Sequence, residues 1–231
     1  MKTLGIIGGV GPESTIVYYR TIIALYRERT RDGSYPQFII NSIDLKRELD
    51  LIAANDLSGA TKYLVDEIQK LARAGADFGL IASNTPHMVF DDIRKGCDLP
   101  LLSIVEACCE AVKTKRLRRP ALFGTRFTMQ GTFYPAVFSR AGIELVVPDA
   151  KDQEYIHNKY MNELVPGNFL PETRMGLLDI IDRLQAGRAI DSVILGGTEL
   201  PLILRETEHN GIPLLDTMRI HAEAAVAEMF S

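Results

Sequence analysis

Short apolar runs alternate with longer amphipathic stretches along the whole chain. The apolar runs have the length and the small-residue endings of buried strands. We predict strands at 4–8, 37–41, 78–82, 101–103, 121–124, 143–147, 192–196 and 214–216. Most of them are separated by 10 to 20 residues of helical periodicity, as at 57–74 and 172–185. This alternation predicts an α/β fold with mainly parallel sheets flanked by helices.

The two halves of the sequence resemble each other at an offset of about 114 residues. The segment LPLLS at 99–103 returns as IPLLD at 212–216, and 106–112 returns as 220–226. A looser match aligns 78–85 with 191–198, and Gly8-Gly9 matches Gly124-Thr125. The first three of these matches share nearly the same register and predict a duplicated α/β lobe.

The predicted duplication locates a candidate site. Ligands of open parallel sheets bind beyond the carboxyl ends of the strands. Two lobes that face each other would surround one cleft with four loops, at 8–14, 83–87, 124–128 and 197–200. We therefore predict that a ligand binds between the lobes.

The first candidate loop is rich in glycine and contains Gly9 and Val10. Glycine lets the backbone approach a ligand, and the start of the following helix favours an anion. A dinucleotide fingerprint needs glycine where Ser14 stands, and the acidic Asp44 lies too far along the chain. A nucleotide is therefore disfavoured, while a tight turn without a ligand stays open.

Polar residues also follow the next two strands of this half. Asn84 and Thr85 can hold a carboxylate at a helix start, although Ser-Asn-Thr-Pro is equally an ordinary cap and turn. His87 lies in the first helical turn, where it is either packed or a proton donor. Arg47, beside Lys46, follows the second strand and could meet a side-chain carboxylate of a ligand.

In the second half, three candidates follow one strand and two follow another. Thr125, Arg126 and Thr128 carry two hydroxyls and a guanidinium, and Arg126 could pair with a substrate carboxylate. Thr198 can donate a hydrogen bond to a carboxylate. Glu199 can serve as a general acid or base, or it can be a favourable charge in a first helical turn.

Composition narrows the possible partners. Apolar residues make up 46% and charged residues 24%. The net charge is −4, and acidic and basic residues are interspersed. This distribution of charge indicates neither a nucleic-acid nor a membrane partner. The segment 1–7 is interpreted as a buried strand rather than a signal peptide, so we expect a cytoplasmic protein. The adjacent Cys108 and Cys109 favour core or interface positions over a disulfide or a nucleophile.

Together these motifs resemble the aspartate/glutamate racemase family, which includes hydantoin racemases, maleate isomerases and arylmalonate decarboxylase. The resemblance covers essentially the whole chain and is carried by the order and spacing of its motifs. They are GGVGPEST at 8–15, SNTPH at 83–87, GTRFTM at 124–129, NELVPGNF at 162–169, GGTELP at 196–201, PLLDT at 213–217 and IHA at 220–222. Glu199 stands where glutamate racemases usually carry histidine, so the chain looks closest to the broad branch that acts on acidic amino acids.

The resemblance implies a reaction, but the chain lacks the two cysteines that the reaction uses. Racemases of the family use no cofactor and no metal, and two cysteines exchange a proton on opposite faces of the substrate Cα. In this chain those positions are Ser83 and Gly197. A serine hydroxyl needs an adjacent base, and glycine has no side chain, so a mechanism with two thiols is not expected here.

The internal repeat predicts the domain organisation, and the resemblance implies the return of the terminal strand and the partners. We expect one lobe from 1–102 plus 213–231, to which the terminal strand returns, and a second lobe from 103–212. The expected partner is a small carboxylic or amino-acid ligand, and the expected assembly is a homodimer.

Three interpretations of the chain stay open at this point. The first is a racemase-type isomerase of acidic amino acids, and a one-sided proton-transfer enzyme of the lyase or decarboxylase type is its variant. The second is a non-catalytic protein that senses or sequesters such a ligand. The third is an engineered chain whose cysteines were replaced.

Overall fold

The structure is a computed structural model that describes residues 1–231. It contains eight strands. They are β1 Leu4–Gly8, β2 Phe38–Ser42, β3 Phe78–Ile81, β4 Leu101–Leu102, β5 Pro120–Gly124, β6 Ser192–Gly196, β7 Glu208–His209 and β8 Ile212–Asp216.

Eleven α-helices accompany the strands. They are α1 Pro12–Thr30, α2 Leu45–Ala53, α3 Leu57–Arg73, α4 Phe90–Gly96, α5 Ile104–Thr114, α6 Arg126–Gln130, α7 Phe133–Arg140, α8 Ala150–Lys159, α9 Pro171–Arg188, α10 Leu200–Ile203 and α11 Thr217–Met229. A 3₁₀ helix spans Thr85–Val89, and a π-helical turn spans Tyr160–Leu164.

The chain divides into two compact units, Met1–Ile104 with His221–Ser231, and Val105–Ile220. In the first unit, four parallel strands take the order β2-β1-β3-β4. In the second unit, the order is β5-β6-β8-β7, and only β7 is antiparallel to its neighbour. The predicted α/β class with mainly parallel sheets is confirmed.

The two sheets repeat one arrangement of strands. The order β1-β3-β4 of the first unit corresponds to β5-β6-β8 of the second. The predicted strand at 143–147 is reduced to one parallel bridge between Val146 and Ala121 of β5. It flanks β5 as β2 flanks β1, so the repeat seen in the sequence is also a repeat of topology.

The prediction that the terminal strand returns to the first lobe is wrong. Leu214, Leu215 and Asp216 of β8 pair in parallel with β6 of the second unit. Each repeat therefore keeps its own copy of this strand, since β4 pairs with β3 in the first unit. The second unit runs to Ile220, and within the predicted segment 213–231 only the part from His221 onward belongs to the first unit.

The hairpin of β7 and β8 was not among the predicted elements. Its turn residues Asn210 and Gly211 both have positive φ, 48° and 78°. Such angles characterise the type I′ turn that Asn-Gly favours. The turn allows Glu208 and His209 to pair with Pro213 and Ile212, so the short strand has a local cause.

The four strands that lead into the candidate loops are buried along their whole length. Every residue of β1, β3, β5 and β6 is buried, as expected for parallel strands covered on both faces. An apolar cluster packs against the sheet of each unit, one containing Ile7 and the other Phe123. None of the helices is long and apolar enough to cross a membrane.

Candidate active site

The glycine-rich loop of the first unit packs closely against the segment after β2. Gly9 has a φ of 81°, and a Cβ atom there would lie 2.7 Å from the backbone nitrogen of Ile43. The Gly9 N–H donates to Oγ1 of Thr15 at 2.9 Å, and Val10 is 5% exposed within the apolar cluster. Position 9 requires glycine because the backbones of Gly9 and Ile43 approach each other closely. Val10 has a packing role. Ligand binding by Gly9 and Val10 stays a prediction.

The loop that starts at Ser83 follows β3 directly beside this first loop. The Ala82 N–H donates to the Ile7 carbonyl of β1 at 2.9 Å, so the two loops leave neighbouring strands at the same edge. Asn84 is 2% exposed, while Ser83 and Thr85 are half-buried. The structure therefore brings the predicted residues of these two loops to one edge of the first sheet.

His87 is held inside the first unit by the start of α5. Its Nε2 accepts the Ile104 N–H at 3.2 Å, and its ring stacks on Phe90 at 4.5 Å between centroids. Burial, with a smaller effect of His221, lowers the pKa of His87 to about 3. The ring is therefore neutral near pH 7, and its contacts favour the packing role that the sequence left open. Proton donation by His87 stays untested.

Helix α2 carries the basic residues predicted to meet a ligand side chain. The Arg47 guanidinium lies over the Tyr63 ring, 4.4 Å from its centroid. Lys46 is exposed and pairs with Asp50 at 2.5 Å. The next residue, Glu48, is 2% exposed, and its Oε2 has no hydrogen-bond partner. Burial raises the pKa of Glu48 to about 7.

In the second unit, Thr125 and Thr128 form a buried pair after β5. Thr125 caps α6 by accepting the Thr128 N–H at 3.3 Å, and the two hydroxyl oxygens lie 3.2 Å apart. Thr128 is fully buried, whereas the side chain of Arg126 is exposed. The Arg126 N–H donates to Nδ1 of His157 at 3.2 Å. The two hydroxyls are thus together, and the guanidinium is directed to solvent.

The loop after β6 begins beside this pair, because Gly124 and Gly196 are partners in the sheet. A Cβ atom at Gly197 would lie 2.9 Å from Cζ and 3.0 Å from the hydroxyl oxygen of Tyr160. The Tyr160 ring therefore fills the space that a side chain at 197 would need. Its position comes from the π-helical turn that starts at Tyr160.

A buried acid lies two residues beyond Gly197. Glu199 and Thr198 are each 3% exposed. The Tyr160 hydroxyl donates to Oε2 of Glu199, and the Thr198 hydroxyl donates to the same oxygen at 3.0 Å. Burial, and then the charge of Glu199, raise the pKa of Tyr160 well above its ordinary value. A protonated phenol thus donates to the carboxylate, and Glu199 is placed where it can accept or return a proton.

The cysteines lie outside all of these loops. Cys108 and Cys109 are buried in α5, at 0% and 4% exposure, and all three cysteines are unpaired. Burial raises the pKa of both α5 thiols, which disfavours the thiolate that a nucleophile needs. Their burial agrees with the expected packing role.

Two residues of these regions were missed by sequence reasoning. Tyr160 lies 37 positions before Gly197, and no local pattern connects the two. Glu48 did leave a signal, because it shares the buried side of α2 with Ile52 one turn later. A carboxylate among apolar positions of an amphipathic helix marks a buried charge.

Comparison with known proteins extends the similarity over nearly the whole chain. The sequence model of the Asp/Glu/Hydantoin racemase family matches residues 7–225. The broad specificity amino-acid racemase RacX of Bacillus subtilis is 24% identical over 227 residues, which cover 97% of this chain and 96% of RacX.

Solved structures show the same relationship in three dimensions. A Yersinia pestis protein provisionally named an Asp/Glu racemase has a TM-score of 0.91 at 33% identity, with full coverage of both chains. PH1733, an aspartate racemase homologue from Pyrococcus horikoshii, has a TM-score of 0.85 at 33% identity, also with full coverage of both. From the match of the family and these full-length similarities, we conclude that the chain belongs to the Asp/Glu/hydantoin racemase family.

Proposed function

We propose that this protein binds an acidic amino acid or a related small carboxylic acid and transfers a proton at its Cα, as racemases do. In this proposal, loops of both units contact one ligand in a cleft between the lobes. The protein needs no cofactor for this reaction and acts in the cytoplasm as a homodimer.

The observation that carries the proposal is the repeated placement of polar side chains at strand ends. Asn84 and Thr85 follow β3, and Thr198 and Glu199 follow β6, which is the equivalent strand of the second sheet. Thr125 follows β5, the equivalent of β1. Hydroxyl and amide donors stabilise an ionised carboxylate by about 1.5–3 kcal/mol per hydrogen bond. A carboxylate ligand fits this set of donors.

The names of the relatives support the same class of ligand. RacX is named a broad specificity amino-acid racemase, and PH1733 is named an aspartate racemase homologue. An acidic amino acid has two carboxylates, and the exposed Arg47 and Arg126 are the cations we assign to the second one.

The proposed proton transfer cannot use two thiols, since serine and glycine occupy positions 83 and 197. Ser83 would need a base, and the bond between His87 and Ile104 together with the low pKa of His87 disfavours that histidine for the role. Glu199 is the acid or base that the structure offers in the second unit. We therefore expect proton exchange at Cα to be faster than racemisation.

Calorimetry tests the binding half of the proposal with L-aspartate, D-aspartate, L-glutamate and D-glutamate as probes. Thr198→Ala is expected to weaken binding about tenfold, because it removes the hydroxyl whose hydrogen bond we propose passes from Glu199 to the ligand carboxylate. Thr114→Ala, at the exposed end of α5, is the matched control and should leave the affinity unchanged. Equal affinities of the Thr198→Ala variant and the wild type would remove Thr198 from the site.

A non-catalytic binding protein is the second candidate, and one observation favours it. The Tyr160 ring fills the space beside Gly197, so a proton carrier cannot be attached at that position. Incubation of each probe in heavy water separates the two candidates. Deuterium at Cα supports proton transfer, whereas tight binding without any exchange supports the non-catalytic alternative.

A further inference from the structure

The space beside Gly197 is occupied by one particular side chain. A Cβ atom at 197 would lie 2.9 Å from Cζ of Tyr160, far closer than two carbon atoms pack in a protein interior. Tyr160 is 6% exposed and belongs to the apolar cluster of the second unit. Glycine at 197 and tyrosine at 160 are therefore coupled in size, and neither can be replaced freely while the other is kept.

The backbone at Tyr160 has an unusual conformation. Helix α8 ends at Lys159, and the chain continues as a π-helical turn over Tyr160–Leu164. Such turns are rare and often occur at functional sites, because the wider turn changes the direction of the side chains. Leu164, at the end of the turn, is buried in the same cluster. The packing of Leu164 thus stabilises the turn, and the turn determines the position of the Tyr160 side chain.

The phenol is part of a hydrogen-bonded network and does more than fill space. It donates to Oε2 of Glu199, to which the Thr198 hydroxyl also donates at 3.0 Å. The Glu199 backbone N–H in turn donates to the phenol oxygen. Buried groups joined in this way hold one another in a single geometry. Glu199 is consequently oriented from two sides.

We propose that Tyr160 is a positioning residue that replaces the side chain absent at 197 and holds Glu199 as the proton-transfer group of the second unit. This inference rests on the proposed function and adds a residue to it. In the step considered, the Glu199 carboxylate takes the Cα proton and the C–H electron pair stays on the ligand as an enediolate. The resulting carboxylic acid exchanges its proton with solvent and returns a proton to the same face. Exchange then occurs with retention of configuration.

Tyr160→Phe tests this role, because phenylalanine keeps the ring and removes only the hydroxyl. With L- and D-glutamate and L- and D-aspartate in heavy water, we expect Cα exchange at saturating ligand to fall at least tenfold. The affinity for each probe should stay within about twofold of the wild type. Glu199→Gln should abolish exchange. Tyr155→Phe, five residues earlier and half-buried, is the matched control and should exchange like the wild type.

The outcomes distinguish this inference from the proposed function. Exchange by Tyr160→Phe at the wild-type rate would overturn the positioning role and leave the proposed function standing. Undiminished exchange by Glu199→Gln would do the same. Binding by the wild type without any exchange would overturn the proposed proton transfer together with this inference.

The coupling in size can be measured without any activity. Gly197→Ala should lower the midpoint of thermal unfolding in the wild-type background, because the new Cβ overlaps the Tyr160 ring. In a Tyr160→Leu background, the same substitution should cost much less. Equal losses in the two backgrounds would show that Tyr160 does not occupy the space of a side chain at 197.

Discussion

The two units each bury a glutamate after a strand end, and the two carboxylates have opposite surroundings. Glu48 of the first unit is 2% exposed, its Oε2 has no hydrogen-bond partner, and burial raises its pKa to about 7. Glu199 of the second unit is 3% exposed and accepts hydrogen bonds from the hydroxyls of Tyr160 and Thr198. Two hydroxyl donors therefore hold the Glu199 carboxylate in place, whereas burial without such donors favours the neutral form of Glu48.

The titratable residues of the predicted loops show the same contrast. His87 is neutral, it accepts the N–H at the start of α5, and its ring also hydrogen-bonds the Ser83 backbone. In the second unit, a phenol, a hydroxyl and a carboxylate are bonded together. Similar loops of a duplicated fold thus carry different side-chain chemistry, and this difference supports our proposal that Glu199 of the second unit transfers the proton.

Restoring thiols gives the largest expected effect. Ser83→Cys with Gly197→Cys and Tyr160→Leu should raise racemisation of aspartate or glutamate at least about a hundredfold, because racemases of the family exchange the Cα proton with two thiols and we propose that both loops contact the ligand. The double variant that retains Tyr160 is the control. It should gain much less, since the new side chain overlaps the ring.

Chiral chromatography of the products measures both variants. If the double variant with Tyr160 racemises as fast as the triple variant, Tyr160 does not restrict position 197. If neither variant exceeds the wild type, the retained loops do not hold the substrate Cα between the two positions.

Crowding at Gly197 has a smaller effect that concerns stability. Gly197→Ala should lower the free energy of unfolding by about 1–3 kcal/mol, the usual cost of overpacking a core. Gly187→Ala is the matched control, because a Cβ atom at this exposed position of α9 has no neighbour within 4 Å. That control should be neutral or stabilising by up to about 1 kcal/mol, as alanine favours a helix. Denaturant unfolding compares them, and equal effects of both substitutions would contradict the crowding.

For the buried Glu48 we expect a pH-dependent effect on the free energy of unfolding, of similar or smaller size. Its folded-state pKa of about 7 lies above the ordinary 4.5. The neutral acid therefore favours folding below pH 4.5, and this contribution is lost as the pH rises through 7. Glu48→Gln should accordingly stabilise the protein at pH 8 by on the order of 1–3 kcal/mol and change little at pH 4.

Unfolding at the two pH values checks this prediction. Glu154→Gln replaces an exposed glutamate and should show no such dependence. Stabilisation by Glu48→Gln that is equal at both pH values would mean that ionisation of Glu48 is not its cause.

Much of the fold could be predicted because its signals are local. The apolar runs of β1 and β6 coincide with the predicted strands at both ends, and buried parallel strands require such runs. The Asn210-Gly211 turn also had a sequence signal, the Asn-Gly pair, that was not used. The partner of β8 could not be predicted in this way, because strand pairing is decided by contacts between distant segments.

The candidate site was predictable only in part, for the same reason. Asn84, Thr125 and Thr198 follow strand ends as expected from the alternation of elements. Tyr160 could not be found, because its contact with Gly197 depends on the π-helical turn after α8 and on packing across 37 residues. Sequence patterns therefore located the loops, while the groups that surround Glu199 required the structure.

We propose that proton transfer at Cα occurs from one side, through Glu199. The most direct measurement follows each enantiomer of glutamate and aspartate in heavy water, recording deuterium at Cα by NMR and configuration by chiral chromatography. We expect the wild type to label one enantiomer with retention, at least tenfold faster than it forms the opposite enantiomer, and Glu199→Gln to do neither. Equal rates of labelling and racemisation for both enantiomers would contradict this proposal.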